Sequence, residues 1–260
     1  MLKILKYSFY DLIRSRWSYV YFLFYLLMGF VLLFLNNDLS KAVITLMNII
    51  IVLVPLIGTI FGIMYYYNSK EFTELLLAQP IKRSSIFMGQ YLGVALSLSM
   101  SLVIGLGIPF LVYGINTSVA IWDFGLLLVS GSMLTLIFTS LAFVIALKNE
   151  NKIKGFGYAI LLWLFMAVIY DGLFLMSLMF FEDYPLDKFS LIATLLNPVD
   201  LSRVLILLKL DISALLGYTG AVFQQFFGTS LGFFLSLFML AVWFIVPTFI
   251  MQRIAMKKDF

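Results

Sequence analysis

The sequence offers very few side chains that could carry out chemistry. It contains no His and no Cys, which excludes disulfides, thiolate nucleophiles, Ser-His-Asp triads, and zinc, haem or copper sites with His or Cys ligands. No Gly-Lys pair occurs either, so the phosphate-binding loop of an ATPase is missing. We therefore expect no catalytic, cofactor or metal site on this chain.

One acid interrupts a long apolar run. Asp171 lies within residues 156–180, and an ionisable group in hydrocarbon is costly unless it faces water or a partner. It could be a conformational latch or a polar substrate contact inside a helix bundle. The alternative, which we favour, is a side chain hydrogen-bonded locally beside Gly172. A single acid also argues against an intramembrane aspartyl protease, which needs two.

The rest of the sequence is suited to lipid. Of its 260 residues 63% are hydrophobic and 12% charged, with a mean hydropathy of +1.08, an excess that one soluble core cannot bury. We predict an all-α integral membrane protein, with residues 1–260 forming a single transmembrane domain. Six runs are long enough to cross a bilayer: about 17–35, 42–66, 90–113, 124–147, 156–180 and 229–250.

Basic residues indicate the orientation of these spans. With the N-terminus inside, 13 of the 17 Lys and Arg residues lie in cytoplasmic segments, where positive residues near short loops are retained. Both termini are thus predicted to be cytoplasmic, and the net charge of +4 is explained without nucleic acid. The outer side keeps Lys41, Lys188, Arg203 and Lys209.

The first sixteen residues have two faces on a helical wheel. One is basic and the other apolar, which predicts an interfacial elbow helix on the inner leaflet. The alternative is an ordinary basic flank that only orients the protein. The basic face holds Lys3, Lys6, Tyr10 and Arg14, and the apolar face holds Leu2, Leu5, Phe9 and Leu12.

The loop between spans two and three predicts a short cytoplasmic helix. Asn68 would cap it, Pro80 would end it, and Ser84 or Ser85 would cap the next helix. Its charged side could meet a soluble partner, while an amphipathic loop without a partner is the alternative. One side carries Phe72, Leu75, Leu76 and Gln79, and the other carries Lys70, Glu71, Glu74 and Ala78.

The loop between spans five and six is long and apolar. Asn197-Pro198-Val199-Asp200 is a strong helix start, and Asp200 can pair with Arg203. A second short outer helix is predicted from Asp211 to Leu216, before Gly217. These two apolar helices need cover, and they are predicted to bind an outer partner or to dip back into the bundle mouth as re-entrant segments. The re-entrant arrangement is compatible with partner binding.

Two stretches resemble a known family. Glu71-Phe72-Thr73-Glu74-Leu75-Leu76-Leu77-Ala78-Gln79-Pro80-Ile81-x-Arg83, followed by Gly89-x-Tyr91-Leu92-Gly93, resembles the coupling-helix region of type-2 ABC exporter permeases. The six-span layout agrees with that family. The segment Asn197-Pro198-x-Asp200 with Arg203, followed by Ser213 to Phe223, is similar to the branch of the family that serves maturation of nitrous oxide reductase.

The resemblance implies a homodimeric permease of the bacterial inner membrane. A separate cytoplasmic ATPase subunit would bind ATP and Mg, and a periplasmic protein would bind outside. The resemblance implies ATPase-coupling residues Lys70, Glu71, Phe72, Glu74, Leu75, Gln79, Pro80, Arg83, Lys152 and Lys154. It implies outer partner-binding residues Asn197, Pro198, Asp200, Arg203, Tyr218 and Phe223.

Within this branch the complex would serve copper-site assembly. Because the chain has neither His nor Cys, a sulfur species or a purely mechanical output is easier to support than copper conduction. Two alternatives remain open. One is a general ABC exporter permease for a lipid, polysaccharide or drug, and the other is a membrane scaffold protein that works without an ATPase.

Overall fold

The computed structural model describes residues 1–36, 39–118, 120–181, 186–209, 226 and 229–258. Over these ranges the chain is helical and contains no strand. A 3-10 turn covers Ile115–Thr117, and a π-helical segment covers Phe165–Ile169. The α-helices are α1 Leu2–Arg14, α2 Arg16–Leu35, α3 Leu39–Asn68, α4 Lys70–Leu77, α5 Arg83–Val112, α6 Ile121–Lys148, α7 Lys152–Leu164, α8 Tyr170–Phe180, α9 Asp187–Leu196, α10 Pro198–Lys209 and α11 Ser230–Lys257.

The six predicted spans are confirmed as helices long and apolar enough to cross a membrane. They are α2, α3, α5, α6, the continuous unit of α7, π segment and α8, and α11. The helices extend beyond the uncharged runs, and α5 starts at Arg83 rather than near residue 90. The difference arises because helical hydrogen bonding continues through polar residues after the hydrocarbon ends. The chain is therefore a multi-pass membrane protein.

Helices α3 and α6 form the centre of the bundle. Their backbones approach closely at Gly58 and Gly62, where an added Cβ on Gly62 would lie 3.0 Å from the Cβ of Ala142. Small residues at such positions allow the dispersion contacts that hold membrane helices together. The two helices are thereby packed side by side through the middle of the bundle.

Helix α1 lies against the first turns of α5. Its buried residues are Ile4, Ser8 and Leu12, of which Ile4 packs over Gly89 and Ser8 over Gly93 of α5. Lys3, Lys6, Tyr10 and Arg14 are exposed, as the helical wheel predicts. The predicted apolar face is wrong in part, since Leu2 is 79% exposed and Leu5 and Phe9 are only half-buried. The small Ser8 fits against glycine, so the packed face is centred on it rather than on the largest side chains.

The connection between spans five and six contains a helical hairpin formed by α9 and α10, two helices that meet at 115°. Helix α9 is not predicted by the sequence analysis, whereas the start of α10 at Pro198 is confirmed. Helix α10 packs between α3, α6 and α11, and from Val199 to Leu207 only Arg203 is not fully buried. This burial agrees with the re-entrant interpretation. The predicted helix after Asp211 lies outside the described residues.

Candidate functional site

The short helix α4 is joined almost directly to α3. Only Ser69 separates them, and its backbone N–H donates to Tyr65 O at 2.9 Å, so the helical hydrogen bonding of α3 continues to the corner. The predicted caps are therefore wrong. Ser69 holds the N-cap position of α4, and Asn68 ends α3. Ser84 and Ser85 lie inside α5 rather than capping it, because that helix already begins at Arg83.

One face of α4 is fixed to its neighbours. Thr73 is 6% exposed and accepts a hydrogen bond of 2.8 Å from the Gln90 side chain of α5. The Thr73 hydroxyl donates to Ser69 O at 2.8 Å. Phe72 stacks on Tyr7 of α1, with ring centroids 4.6 Å apart. Helix α4 therefore cannot move without affecting both α1 and α5.

The opposite face of α4 is open to solvent and mixes charge with one large apolar side chain. Leu75 is 68% exposed, and Lys70 and Glu74 form an exposed pair at 3.8 Å. The predicted grouping of Leu75 and Gln79 with the apolar side is wrong, since both lie on the exposed side with Glu71. Thr73 can be buried because the Gln90 side chain donates a hydrogen bond to its hydroxyl oxygen. Gln90 lies outside the loop, so the loop sequence alone does not predict this burial.

The turn between α6 and α7 lies beside α4. Tyr67 at the end of α3 donates its hydroxyl to Asn149 O at 2.6 Å, and Lys152 donates to Asn68 Oδ1 at 3.1 Å. Lys154 is exposed on the same turn. A cavity of about 150 Å³ separates the turn from α4. It is lined by Tyr66, Tyr67, Lys70, Thr73, Glu74, Asn149, Glu150 and Lys258.

The C-terminal end of α11 lies at the same end of the bundle as α4. Arg83 donates from Nη1 to Lys258 O at 2.7 Å, and Lys258 Nζ donates to Leu147 O at 2.8 Å. The roles of Tyr67, Asn149 and Lys258 are not predicted from the sequence. These contacts join residues more than eighty positions apart, and no local pattern encodes them.

At the other end of the bundle, Asn197 forms the corner between α9 and α10. It is 1% exposed, and its Oδ1 accepts from Val199 N–H at 3.0 Å, which confirms the predicted cap. Its Nδ2 group donates to Asp200 Oδ2 at 2.9 Å and to Met166 O at 2.8 Å. One buried amide therefore fixes the hairpin corner to the π segment of span five.

Arg203 lies between two carboxylates. Its Nη1 donates to Asp171 Oδ2 at 2.5 Å and to Asp200 Oδ1 at 3.4 Å. The predicted pairing of Asp200 with Arg203 is confirmed. The local interpretation of Asp171 is wrong, because its partner lies on α10, 32 residues away. We call Asp171, Asn197, Asp200 and Arg203 the outer polar cluster.

The other predicted site residues fall into two groups. Asn197, Pro198 and Asp200 are buried, so these side chains could act on an outer partner only by holding the α9–α10 hairpin in position. Tyr218 and Phe223 lie outside the described residues. Within the described ranges there is no group of three or more acids that could hold a metal ion.

Comparison with known proteins identifies relatives of this chain. The profile described as ABC-2 family transporter protein matches residues 4–218. The probable ABC transporter permease protein NosY of Stutzerimonas stutzeri is 29% identical over 136 residues, which cover 50% of this chain and 49% of the relative. The protein of the same name from Pseudomonas aeruginosa is 29% identical over 145 residues, or 54% and 53% of the two chains. The chain thus spans about half the length of the curated relatives it matches.

Proposed function

Because the chain belongs to the ABC-2 family of transporter proteins, we propose that it is the membrane subunit of an ATP-driven ABC complex, with a NosY-like role. A separate NosF-like ATPase would bind ATP and Mg in the cytoplasm. Two copies of this chain would form the membrane part of the complex in a bacterial inner membrane. The observation that carries this proposal is the exposed face of α4 on a helix that is otherwise firmly fixed.

That face has the features of a docking surface. A large apolar side chain surrounded by charges, as at Leu75, is typical of the centre of a protein interface, while Glu71 and Glu74 would contribute to orientation and association rate. The buried Thr73–Gln90 hydrogen bond resists displacement of α4 on its own. A push from the ATPase would therefore pass into α3 through Ser69 and into α5 through Gln90.

Changes on this face test the proposal. Leu75→Asp is expected to reduce capture of the ATPase about tenfold, because a central apolar contact would be replaced by a charge. The double reversal E71K/E74K should cause a smaller, salt-dependent loss, since both side chains are solvated. The measurement is the ATPase-to-permease ratio after affinity purification of the tagged chain.

Lys188→Glu is the matched control for these variants, because it reverses an exposed charge at the opposite end of the bundle. It should retain the wild-type ATPase ratio. If Leu75→Asp and E71K/E74K also retain that ratio, α4 is not the docking element. Absence of an ATPase from the wild-type complex would instead favour a scaffold protein.

The likeness to NosY supports a more specific role. We propose that the α9–α10 hairpin positions an outer surface for a NosD-like periplasmic protein, and that the complex serves copper-site assembly of nitrous oxide reductase. The output would be mechanical work on that partner or export of a sulfur species. The buried corner at Asn197 is suited to this task, since it fixes the direction of α10 relative to span five.

The outer role predicts a selective loss of one partner. The triple variant N197A/D200A/R203E should reduce capture of the periplasmic protein much more than capture of the ATPase, because the hairpin shifts while the distant α4 is unaffected. Both partners can be quantified in one detergent extract. Equal loss of the two, or loss of neither, would contradict a role of the hairpin in periplasmic docking.

A further inference from the structure

The second half of span five, helix α8, is attached to the rest of the described chain by few contacts. No side chain of helix α8 is fully buried. It follows directly on the π segment Phe165–Ile169, and π-helical turns interrupt regular packing and often occur at functional positions. Span five therefore has a well-defined place at which its outer half could change direction.

Among the described residues, the side-chain contacts that hold this half lie mainly on the α9–α10 hairpin. Asp171 pairs with Arg203 of α10, and the Tyr170 hydroxyl donates to Ala193 O at 2.7 Å. Phe174 stacks on Phe189 of α9, with centroids 6.3 Å apart. The Asp171–Arg203 pair is the one of these contacts that joins opposite charges, and it lies immediately after the π segment.

The arrangement of charges allows this pair to separate at low cost. Arg203 also donates to Asp200, and Asp200 is held in place by Asn197. If α8 moves away, Arg203 keeps a carboxylate partner on its own helix, so no guanidinium is left unpaired at membrane depth. The Asp171 side chain is 32% exposed and can be solvated when released. The cluster can thus exist with Arg203 bonded to both acids or to Asp200 alone.

We propose that Asp171 and Arg203 form a latch that holds the outer half of span five against the α9–α10 hairpin, and that the latch opens by movement about the π segment. The idea that ATP drives the opening depends on the function proposed above. The existence of the latch rests only on the outer polar cluster. Arg203 is in this view a positioning residue that selects between two arrangements of span five.

Cross-linking between α8 and α9 tests the latch. The natural chain has no Cys, so the double variant F174C/F189C carries a unique thiol pair at the ring contact between the two helices. The rate of linking by a short bismaleimide, measured by mass spectrometry of the linked peptides, reports how often α8 lies against α9. All further substitutions are made in this background, in the complete chain purified with its partners.

Asp171→Asn and Arg203→Gln should each lower the linking rate about fivefold, because either change removes the charge pair. The exchange variant D171R/R203D keeps one Arg between two Asp residues and should restore most of the rate, which a general packing defect would not allow. Lys41→Glu, which reverses an exposed charge in the first turn of α3 and is not adjacent to either Cys, should leave the rate unchanged. Unchanged linking in both single variants, or no recovery in the exchange variant, overturns the latch.

Addition of ATP separates this inference from the function on which it partly rests. In the complex ATP should lower the wild-type linking rate and have little further effect on Asp171→Asn. A wild-type rate that ATP does not change overturns ATP-driven opening. If no ATPase co-purifies, the proposed function fails, yet the comparison of variants without ATP still decides whether the latch exists.

Discussion

Asn197→Ala is expected to lower the melting midpoint of the detergent-solubilised chain by about 5–10 °C, which corresponds to about 2–3 kcal/mol for a chain of this size. The substitution removes three hydrogen bonds, to Val199 N–H, Asp200 and Met166 O. Each is worth about 1 kcal/mol, and the Asp200 carboxylate loses a buried donor. A simple helix cap would cost only about 1 kcal/mol.

Asn36→Ala serves as the comparison for this stability measurement. Asn36 ends α2 and its amide makes one local hydrogen bond, to Leu32 O at 3.0 Å. Its loss should shift the midpoint by no more than about 3 °C. Equal shifts for the two variants would show that the corner at Asn197 contributes no more than an ordinary helix end.

Gly93→Ala is expected to displace α1 and to destabilise the protein by about 2 kcal/mol, a typical cost of overpacking. The new Cβ would lie 2.6 Å from Ser8 Cβ, 2.9 Å from Leu5 O and 3.0 Å from Phe9 N. Because these neighbours include the α1 backbone, a rotamer change cannot relieve the clash. We expect a lower melting midpoint and faster tryptic cleavage at Lys3 and Lys6.

The same substitution at Gly107 provides a control on the same helix. A Cβ there meets nothing within 4 Å, so Gly107→Ala should be neutral or stabilising by up to about 1 kcal/mol through helix propensity. If α1 is cleaved rapidly in the Gly107 variant, or at the wild-type rate in the Gly93 variant, close packing of α1 on Gly93 does not protect α1 from trypsin.

The spans and the start of α10 are predictable from the sequence because their causes are local. The length of each uncharged run matches the thickness of the hydrocarbon layer. Asn197 supplies a helix cap, and Pro198 follows it at the first helical position, where the missing backbone N–H of proline leaves no hydrogen bond unmade. The same local signature led to the wrong cap for α4. Asn68 has the right chemistry for a cap, but α3 remains helical through that position.

The outer polar cluster and the buried face of α4 depend on residues far apart in the chain. Asp171 meets Arg203 only after span five and the hairpin have packed, and the second partner of the Asn197 amide is a backbone carbonyl at Met166. A backbone acceptor has no sequence signature, since every residue carries one. Thr73 likewise becomes a buried position only because Gln90 reaches it from α5.

The direct junction of α4 to α3 has a geometric consequence. Helix α3 has 30 residues and is about 45 Å long at 1.5 Å per residue. Because Gly58 and Gly62 hold it tightly against α6, the pair can tilt together as one stiff lever that pivots at its junction with α4. A tilt of about 5° then displaces the far end by about 4 Å, by the same helix dimensions. A movement of α4 too small to disturb its own hydrogen bonds is thus amplified to nearly the width of a side chain at the opposite membrane surface.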